Sequence, residues 1–561
     1  MKLKTTGLEL GAARSAGDCP HTRQPGMVLT LVVALLAAGS VPATAAGGAG
    51  AHGLQPKAAH DELVPDPATY AAAKAAAKRA AAQERRAGVT GPKGLRPSII
   101  TTFEGISDST KTPPDETSAI GPDRLVQLVN SRFGIFDRQG TLLADGSSAE
   151  LSGANEGDFI TDPQILWDPS SQRFYYTIYE NRNHAGVLDP GIAWGFSTTA
   201  SPGSAVDFCK YFTRFDYGGT FPDGTFPDFP QLGTTRDLIL IGANRFTFGS
   251  FFVGADLAWI SKPQPGETCP EPDTFRTGIF EQLRNSDGSL AFTPIPARQV
   301  DADAVGWVVS ALFPSGDYLN VYTLQPDLAT GMPLLSAAAR LDVPSYSTPA
   351  DAPQAGTTAN GQPAPLLDTL SGKLTQAYAA VDPRVKHMAI WTAHAVFGGA
   401  GSEIRWYEID PSGPSLDQSG VVSDANLQMF FFIGSIAPDR ANDGTSARFG
   451  SNMVLGFDQS STTTDVQIAM VSKVGAHRQS APFVVKSSPG PYITAECFES
   501  VRGACRWGDY SGASPDPAPG TTRTGQVWLT NQWNLASTDD NDLDWRTWNW
   551  AAAPRSHGSA P

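Results

Sequence analysis

The stretch Asp168-Pro-Ser-Ser-Gln-Arg-Phe-Tyr-Tyr-Thr177 has the pattern of a tight turn that leads into a buried strand. An aspartate accepts hydrogen bonds from turn amides, proline fixes φ, and the apolar residues that follow favour a strand. The same order of a turn, a basic residue and apolar residues returns at Asp382-Pro-Arg-Val-Lys-His-Met-Ala-Ile-Trp391. Repeated hairpins of this kind are what the blades of a β-propeller require.

The sequence around these two hairpins has the same texture from about residue 97 to residue 550. Short apolar runs alternate with clusters of Gly, Pro, Asp, Asn and Ser, and no comparable run shows helical periodicity. This stretch is too long for one sandwich and fits several four-stranded blades. We therefore predict an all-β fold, a six- or seven-bladed β-propeller over residues 97–550. A strand near residues 99–103 should complete the last blade beside residues 545–550, and residues 551–561 should form a disordered tail.

Three kinds of segment are expected before the propeller. Residues 1–45 read as a signal peptide, with an apolar run from Met27 and a small-x-small cleavage pattern at Ala43-Thr44-Ala45. Translation from Met27 and an uncleaved N-terminal anchor are the alternatives. Residues 46–96 should contain a flexible linker and an alanine-rich helix, which has almost no large apolar face and is predicted to be a solvated stalk or pro-segment. The chain is thus expected to be secreted, with no stable membrane span after cleavage.

Composition limits the classes of function. The 561 residues carry a net charge of −15, with 41% hydrophobic and 17% charged residues. A sizeable core is possible, and the acidic balance disfavours nucleic acid as a partner. We expect a monomer without a cofactor.

The cysteines agree with an exported chain. Cys19 precedes the predicted cleavage site, and the remaining four are Cys209, Cys269, Cys497 and Cys505. An even number in an exported protein indicates disulfides, and four cysteines allow three connectivities. Proximity favours Cys497 with Cys505, which leaves Cys209 with Cys269. The sequence has no C-x-x-C pair and its histidines are scattered, so no metal site is predicted.

Four stretches carry a resemblance to a known group of proteins. They are Pro113-Pro-Asp-Glu-Thr-Ser-Ala-Ile-Gly-Pro122 with the strand after it, Phe226-Pro-Asp-Phe-Pro-Gln-Leu-Gly233, Ile404-Arg-Trp-Tyr-Glu408, and Arg506-Trp-Gly-Asp-Tyr-Ser511. They resemble recurring segments of exported bacterial sialidase-like β-propeller proteins, which are mostly of uncharacterised activity. The resemblance spans about residues 97–550 and implies the fold. The Asp-box of true sialidases appears here only in degenerate form at Ser286-Asp-Gly-Ser289, so sialidase activity is not implied.

Two sets of side chains are candidates for chemistry. Asp162, Asp228 and Asp509 are the candidate catalytic carboxylates, since a glycosidase needs a carboxylate pair about the scissile bond. The candidate ligand-binding residues combine guanidinium groups with aromatic rings: Arg405, Tyr407, Arg506, Trp507 and Tyr510. For each of them a structural role, as a turn, a core residue or a tie between blades, is the alternative.

The leading function is that of a propeller that binds an extracellular ligand, either a glycan or a cell-envelope component. The alternatives are a glycoside hydrolase or polysaccharide lyase with paired carboxylates, and a structural envelope protein. An enzyme should gather its carboxylates on one axial face with at least one displaced pKa. A binding module should instead expose aromatic faces there.

Overall fold

A computed structural model describes residues 62–81, 94–184, 187–215, 224–424, 426–500, 502–520, 523–536 and 544–555. The predicted signal peptide, the first part of the linker and the last six residues lie outside the described residues. The first described elements are helix α1 (Pro67–Ala81) and strand β1 (Ser98–Ser107). In the described part of the chain the strands form seven sheets of four or five strands and two small two-stranded sheets. The seven larger sheets are the blades of a seven-bladed β-propeller, which confirms the predicted fold class.

The first three blades are antiparallel meanders of four consecutive strands. Blade 1 contains β2 (Thr117–Ile120), β3 (Arg124–Leu128), β4 (Arg132–Asp137) and β5 (Leu142–Ser147), followed by α2 (Ser148–Ser152). Blade 2 contains β6 (Phe159–Asp168), β7 (Arg173–His184), β8 (Val187–Ser197) and β9 (Phe208–Thr213). Blade 3 contains β10 (Thr225–Thr234), β11 (Leu238–Thr247), β12 (Phe252–Ser261) and β13 (Thr277–Phe280).

Blades 4 and 5 are meanders with additions. Blade 4 contains β14 (Ile295–Pro296), β16 (Gly306–Ala311) and β17 (Ser315–Pro326), and β17 also pairs with β18 (Pro333–Leu335) and β19 (Ala339–Ser347). Blade 5 contains β21 (Leu374–Asp382), β22 (His387–Val396), β23 (Glu403–Asp410) and β24 (Ser415–Val422). The short strand β15 (Arg298–Gln299) runs parallel to β21. A two-residue strand β20 (Leu366–Leu367) lies between the two blades in sequence and pairs with β31 (Ala504–Cys505).

Blades 6 and 7 complete the ring. Blade 6 contains β25 (Phe430–Pro438), β28 (Asn452–Ser461), β29 (Thr464–Val474) and β30 (Phe483–Ser487), with a small hairpin of β26 (Ala441–Asn442) and β27 (Ala447–Arg448). Helix α3 (Glu496–Glu499) follows. Blade 7 contains β32 (Gly512–Pro515), β33 (Val527–Asn534) and β34 (Trp545–Ala553), and its fourth strand is β1.

Ring closure follows from two sets of contacts. The first strand of each blade contacts the first strand of the next, and β32 of blade 7 contacts β2 of blade 1. Strand β1 pairs antiparallel with β34, with Thr102 opposite Trp550 and Phe103 opposite Asn549. The predicted closure by the N-terminal strand is therefore confirmed. Strand β34 continues to Ala553, so the first three residues of the predicted disordered tail, 551–553, belong to the last blade.

The two Asp-Pro turns occupy the same place in their blades. Each joins the first and second strands, β6 to β7 in blade 2 and β21 to β22 in blade 5. Asp168 Oδ2 accepts a hydrogen bond from the Ser171 amide at 3.2 Å, and Asp382 Oδ1 accepts one from the Arg384 amide at 2.7 Å. The sequence repeat thus reflects a repeated structural position.

The alanine-rich helix is present but it is not a solvated stalk. The side chains of Tyr70, Lys74 and Ala77 on α1 are buried against the propeller. The sequence predicted a helix with almost no large apolar face, and this was correct, since Tyr70 is its one large ring. The error was to equate a polar helix with an exposed one.

The two disulfides pair Cys209 with Cys269 and Cys497 with Cys505, as sequence proximity favoured. The first joins β9 of blade 2 to the segment after β12 of blade 3. Among the described helices, none is long and apolar enough to cross a bilayer.

Candidate functional site

Four aspartates from four segments meet at one end of the propeller axis. Asp115 directly precedes β2, Asp162 lies in β6, Asp228 lies in β10, and Asp509 precedes β32. The register of β6 shifts between Thr161 and Gln164, and that of β10 shifts between Asp228 and Gln231. Such bulges change the direction of side chains in a strand, and here they lie at Asp162 and Asp228, near the starts of the first strands of two adjacent blades.

The backbone at these positions adopts an uncommon conformation. Asp115 has φ of 51° and Asp162 has φ of 56°, both in the left-handed region that residues with a Cβ seldom occupy. Phe229, directly after Asp228, has φ of 53°. Such strain persists where the surrounding structure imposes it, and it is frequent at functional sites.

Hydrogen bonds connect the four aspartates. Asn130 bridges two of them, since its Nδ2 donates to Asp115 Oδ2 at 2.7 Å and its Oδ1 accepts from the Asp162 amide at 2.8 Å. The Asp509 amide donates to Asp115 Oδ1 at 2.7 Å. The Phe229 amide, next to Asp228, donates to Asp162 Oδ2 at 3.1 Å. The carboxylates therefore form one cluster, here called the axial cluster.

Two cations accompany the axial cluster, the largely buried Arg506 and the buried Lys373. Arg506 Nη2 lies 2.7 Å from Asp509 Oδ2. Lys373, which directly precedes β21, places its Nζ 3.4 Å from the centroid of the Phe229 ring. Phe229 is stacked on Tyr510 with ring centroids 4.5 Å apart.

Burial and mutual repulsion shift the protonation of the axial cluster. Burial, and then the charges of Asp509 and Asp162, raise the pKa of Asp115 from 3.8 to about 8. Burial and Asp509 raise the pKa of Asp162, and burial and Asp162 raise the pKa of Asp228 well above its ordinary value. At neutral pH the cluster thus retains protons that isolated aspartates would lose.

The pKa values of the neighbouring groups Arg506, Lys373 and Tyr510 are also raised. Burial opposes the charge of Arg506, but Asp509 and Asp115 outweigh it and raise its pKa. Burial likewise opposes the charge of Lys373, whose pKa is raised by nearby carboxylates. Burial, and then Asp162, raise the pKa of Tyr510 well above its ordinary range. The Tyr510 hydroxyl is buried and has no hydrogen-bond partner among the described residues.

The segment before α1 reaches the same end of the axis. Glu62 Oε1 lies 2.8 Å from Lys373 Nζ and accepts a hydrogen bond from Ser371 Oγ at 2.9 Å. The Tyr70 hydroxyl donates to Glu62 Oε2 at 3.0 Å. One turn further along the helix, Lys74 pairs with Asp351 at 2.8 Å.

Five of the eight residues proposed from the sequence lie in this site. The structure brings together the three candidate catalytic aspartates Asp162, Asp228 and Asp509 with the candidate ligand-binding residues Arg506 and Tyr510. Arg506 and Asp509 also form the structural pair that was the alternative reading of their segment.

The other three proposed residues are placed elsewhere. Arg405 and Tyr407 lie on β23, the third strand of blade 5. Arg405 binds the carbonyl oxygens of Pro344 and Ser345 in the neighbouring blade, and the Tyr407 hydroxyl lies 3.0 Å from His394 Nε2. Trp507 is buried in the core, where its Nε1 donates to Asp458 at 2.9 Å. They tie blades and fill the core because their side chains point between sheets rather than toward the axis.

Sequence reasoning missed four members of the site. Asp115 lies in the Pro-Pro-Asp-Glu segment that carried the family resemblance, and this was the available signal for it. Asn130, Lys373 and Glu62 stand in no motif that indicates chemistry. No group of His, Cys, Asp and Glu in the described part of the chain has the arrangement of a metal site.

Comparison with known proteins adds little at the level of sequence. No protein-family model and no curated protein matches the chain. Solved structures with a similar arrangement include a mutant of Trypanosoma rangeli sialidase displaying trans-sialidase activity, with 8% identity and a TM-score of 0.34 over 78% of this chain and 59% of that chain. The GH93 α-L-arabinofuranosidase of Fusarium graminearum has 11% identity and a TM-score of 0.34, over 65% and 93% of the two chains. A mutant of Synechocystis apocarotenoid oxygenase has 12% identity and a TM-score of 0.34, over 66% and 71%. Similarities this distant do not identify an activity.

Proposed function

We propose that this protein is an exported glycan-cleaving hydrolase whose acid and base are carboxyl groups of the axial cluster. The observation that carries the proposal is the convergence of four aspartates, of which Asp115, Asp162 and Asp228 have raised pKa values and Asp115 reaches about 8. A glycoside hydrolase needs one carboxyl group that is protonated at neutral pH and one that is charged.

Asp228 is the proposed general acid. Its pKa is raised well above the ordinary value, first by burial and then by Asp162, so it carries a proton to donate to the leaving oxygen. Asp509, ion-paired with Arg506, is the proposed carboxylate partner. In the net reaction water adds across the glycosidic bond: the leaving oxygen takes the proton of Asp228, the anomeric carbon takes the hydroxyl of water, and the remaining proton passes to Asp509.

The remaining polar groups are proposed to hold the site. Asp115 is 2% exposed and accepts hydrogen bonds from Asn130 and from the amide of Asp509, so it acts through them as a positioning residue.

A glycan-binding propeller without catalysis is less well supported. Such a module should expose aromatic faces at the axial end. Phe229, Tyr510 and Trp507 are each only 1–2% exposed. The carboxyl groups, rather than aromatic platforms, characterise this end of the described molecule.

The test is incubation of the purified mature chain with a panel of polysaccharides. Two quantities are measured, the retention of each polysaccharide by the protein and the release of reducing ends. We expect release, and we expect Asp228→Asn to lower its rate by about 10²–10⁴-fold, the usual contribution of a general acid. Asp287→Asn, an exposed aspartate in the degenerate Asp-box hairpin, is the matched control and should keep the activity.

Retention without release would contradict hydrolysis and favour the binding module. A glycan function is contradicted altogether if polysaccharide is neither retained nor cleaved, both by the parent chain and by a variant in which Glu62 is replaced. If Asp228→Asn and Asp287→Asn lower the rate of release equally, Asp228 is not the general acid.

A further inference from the structure

Residues 62–81 cover the axial end of the propeller and contact several blades. Val64 and Tyr70 pack against Phe292, which precedes blade 4, while Leu63 packs near Tyr179 of blade 2 and Phe226 of blade 3. We call residues 62–81 the N-terminal plug. A ligand that reaches the axial cluster from this end must meet the plug first.

The plug carries a negative charge into the site. The Glu62 side chain is 1% exposed, and its two oxygens receive three contacts, from Lys373 Nζ at 2.8 Å, from Ser371 Oγ at 2.9 Å and from the Tyr70 hydroxyl at 3.0 Å. Two of these three groups, Lys373 and Ser371, belong to the propeller. Together they form a buried place built for a carboxylate.

This place adjoins the axial cluster. Lys373 Nζ lies 3.4 Å from the centroid of the Phe229 ring, and the amide of Phe229 donates to Asp162. The Lys373 ammonium also feels the charges of Asp509 and Asp228. A group bound at Lys373 would therefore sit beside the proposed acid and its partner.

The contact of Glu62 with Lys373 and Ser371 is the one part of the plug's attachment that an anionic ligand can replace. Its helix, Pro-Ala-Thr-Tyr-Ala-Ala-Ala-Lys-Ala-Ala-Ala-Lys-Arg-Ala-Ala, contains Tyr70 as its one large ring and no other large apolar side chain. Its departure exposes the large apolar side chains Leu63, Val64 and Tyr70, whereas the alanine-rich helix itself has a high helix propensity and few apolar groups to bury. A buried ion pair contributes little net stability, so exchange of one carboxylate for another at Lys373 costs little.

We propose that residues 62–81 are a displaceable plug, and that Lys373 with Ser371 is a subsite for a carboxylate of the ligand, which Glu62 occupies in this form. This inference rests on the proposed function, because it assigns to the same site a glycan that carries a carboxylate, such as a uronate. The acidic sugar and Glu62 then compete for Lys373 and Ser371, so binding of the sugar requires displacement of the plug.

The test uses the full mature chain and the variants Glu62→Ala and Glu62→Gln. Glucuronate is the probe, and glucose is its neutral counterpart. We expect both variants to bind glucuronate at least about tenfold more tightly than the parent chain, since a larger fraction of molecules has a vacant subsite. Glucose binding should not change. Titration calorimetry measures both sugars, and hydrogen exchange should show lower protection of the α1 amides in the variants.

Two further variants sharpen the test. Arg79→Ala removes an exposed charge from the same helix and should leave glucuronate binding and helix protection as in the parent chain. Glu62→Ala combined with Lys373→Met should lose the gained affinity for glucuronate. If both Glu62 variants bind glucuronate with only the affinity of the parent chain, the inference is overturned. It is also overturned if the increased affinity for glucuronate survives Lys373→Met, because the subsite is then not at Lys373. Unchanged protection of α1 would overturn the displaceable plug.

The result is separate from that of the proposed function. Binding is measured on a monosaccharide without turnover, so glucuronate binding with no hydrolysis of any polysaccharide contradicts the hydrolase and keeps the subsite. Hydrolysis of polysaccharides with no preference for acidic sugars would support the hydrolase and contradict the subsite.

Discussion

At the scale of single residues, the protonation of Asp115 links the site to stability. The folded-state pKa of about 8 lies above the unfolded value of 3.8. The folded chain therefore binds more protons, and this contribution to stability is present below about pH 4 and lost as the pH rises through 8. In Asp115→Asn, we expect the fall in the free energy of unfolding between pH 4 and 8 to be smaller than in the parent by at least about 1 kcal/mol. Urea denaturation followed by circular dichroism over this pH range measures it.

Asp137→Asn is the matched control for this prediction. Asp137 caps an exposed hairpin, and hydrogen bonds from its turn hold its pKa below the ordinary value. A lowered pKa affects stability only as the pH falls through it, so the decline between pH 4 and 8 should stay as in the parent. An unchanged decline in Asp115→Asn would show that Asp115 titrates normally in the folded chain.

At the scale of elements, the pairing of β1 with β34 has little tolerance for added atoms at Gly105. A Cβ there would fall 2.7 Å from Asn549 Nδ2 and closer still to the side chains of Thr547 and Gln127. Gln127 Oε1 accepts hydrogen bonds from the amide of Ile106 and from Asn549. We expect Gly105→Ala to lower the free energy of unfolding by about 1–3 kcal/mol, as overpacking does. Denaturant titration measures the loss.

Gly413, in the turn between β23 and β24, provides the comparison. A Cβ there meets no atom within 4 Å. Gly413→Ala should change stability by no more than about 0.5 kcal/mol, as is usual for surface substitutions. Equal effects of the two substitutions would contradict tight closure of the ring at β1.

At the scale of the whole molecule, the two disulfides constrain the chain to different degrees. Cys209 and Cys269 are separated by 60 residues and join two blades, whereas Cys497 and Cys505 are separated by 8. In the chain-entropy model the longer loop contributes about 4 kcal/mol and the shorter about 2.5 kcal/mol. We expect replacement of Cys209 and Cys269 by alanine to lower the midpoint of thermal unfolding more than replacement of Cys497 and Cys505. The reverse order would mean that local packing, and not loop closure, governs these bridges.

The sequence by itself determined the architecture, because propeller blades are built from local signals. Asp-Pro turns and short apolar runs define hairpins within about ten residues, and the ring is a series of such hairpins. The pairing of Cys497 with Cys505 and the closure of the ring near residues 99–103 could be predicted for similar reasons. Asp162, Asp228 and Asp509 were found as candidates because each stands in a conspicuous local segment.

Only the tertiary structure decided which of these candidates meet. Asp115 and Asp509 are almost 400 positions apart, and the backbone of one hydrogen-bonds to the side chain of the other only because the ring closes. Alternation along β23 showed that Arg405 and Tyr407 share a face, but it could not show that this face points to a neighbouring blade. The pairing of Glu62 with Lys373 depends on where α1 crosses the axial end, and polar contacts over such distances leave no periodic signal in the sequence.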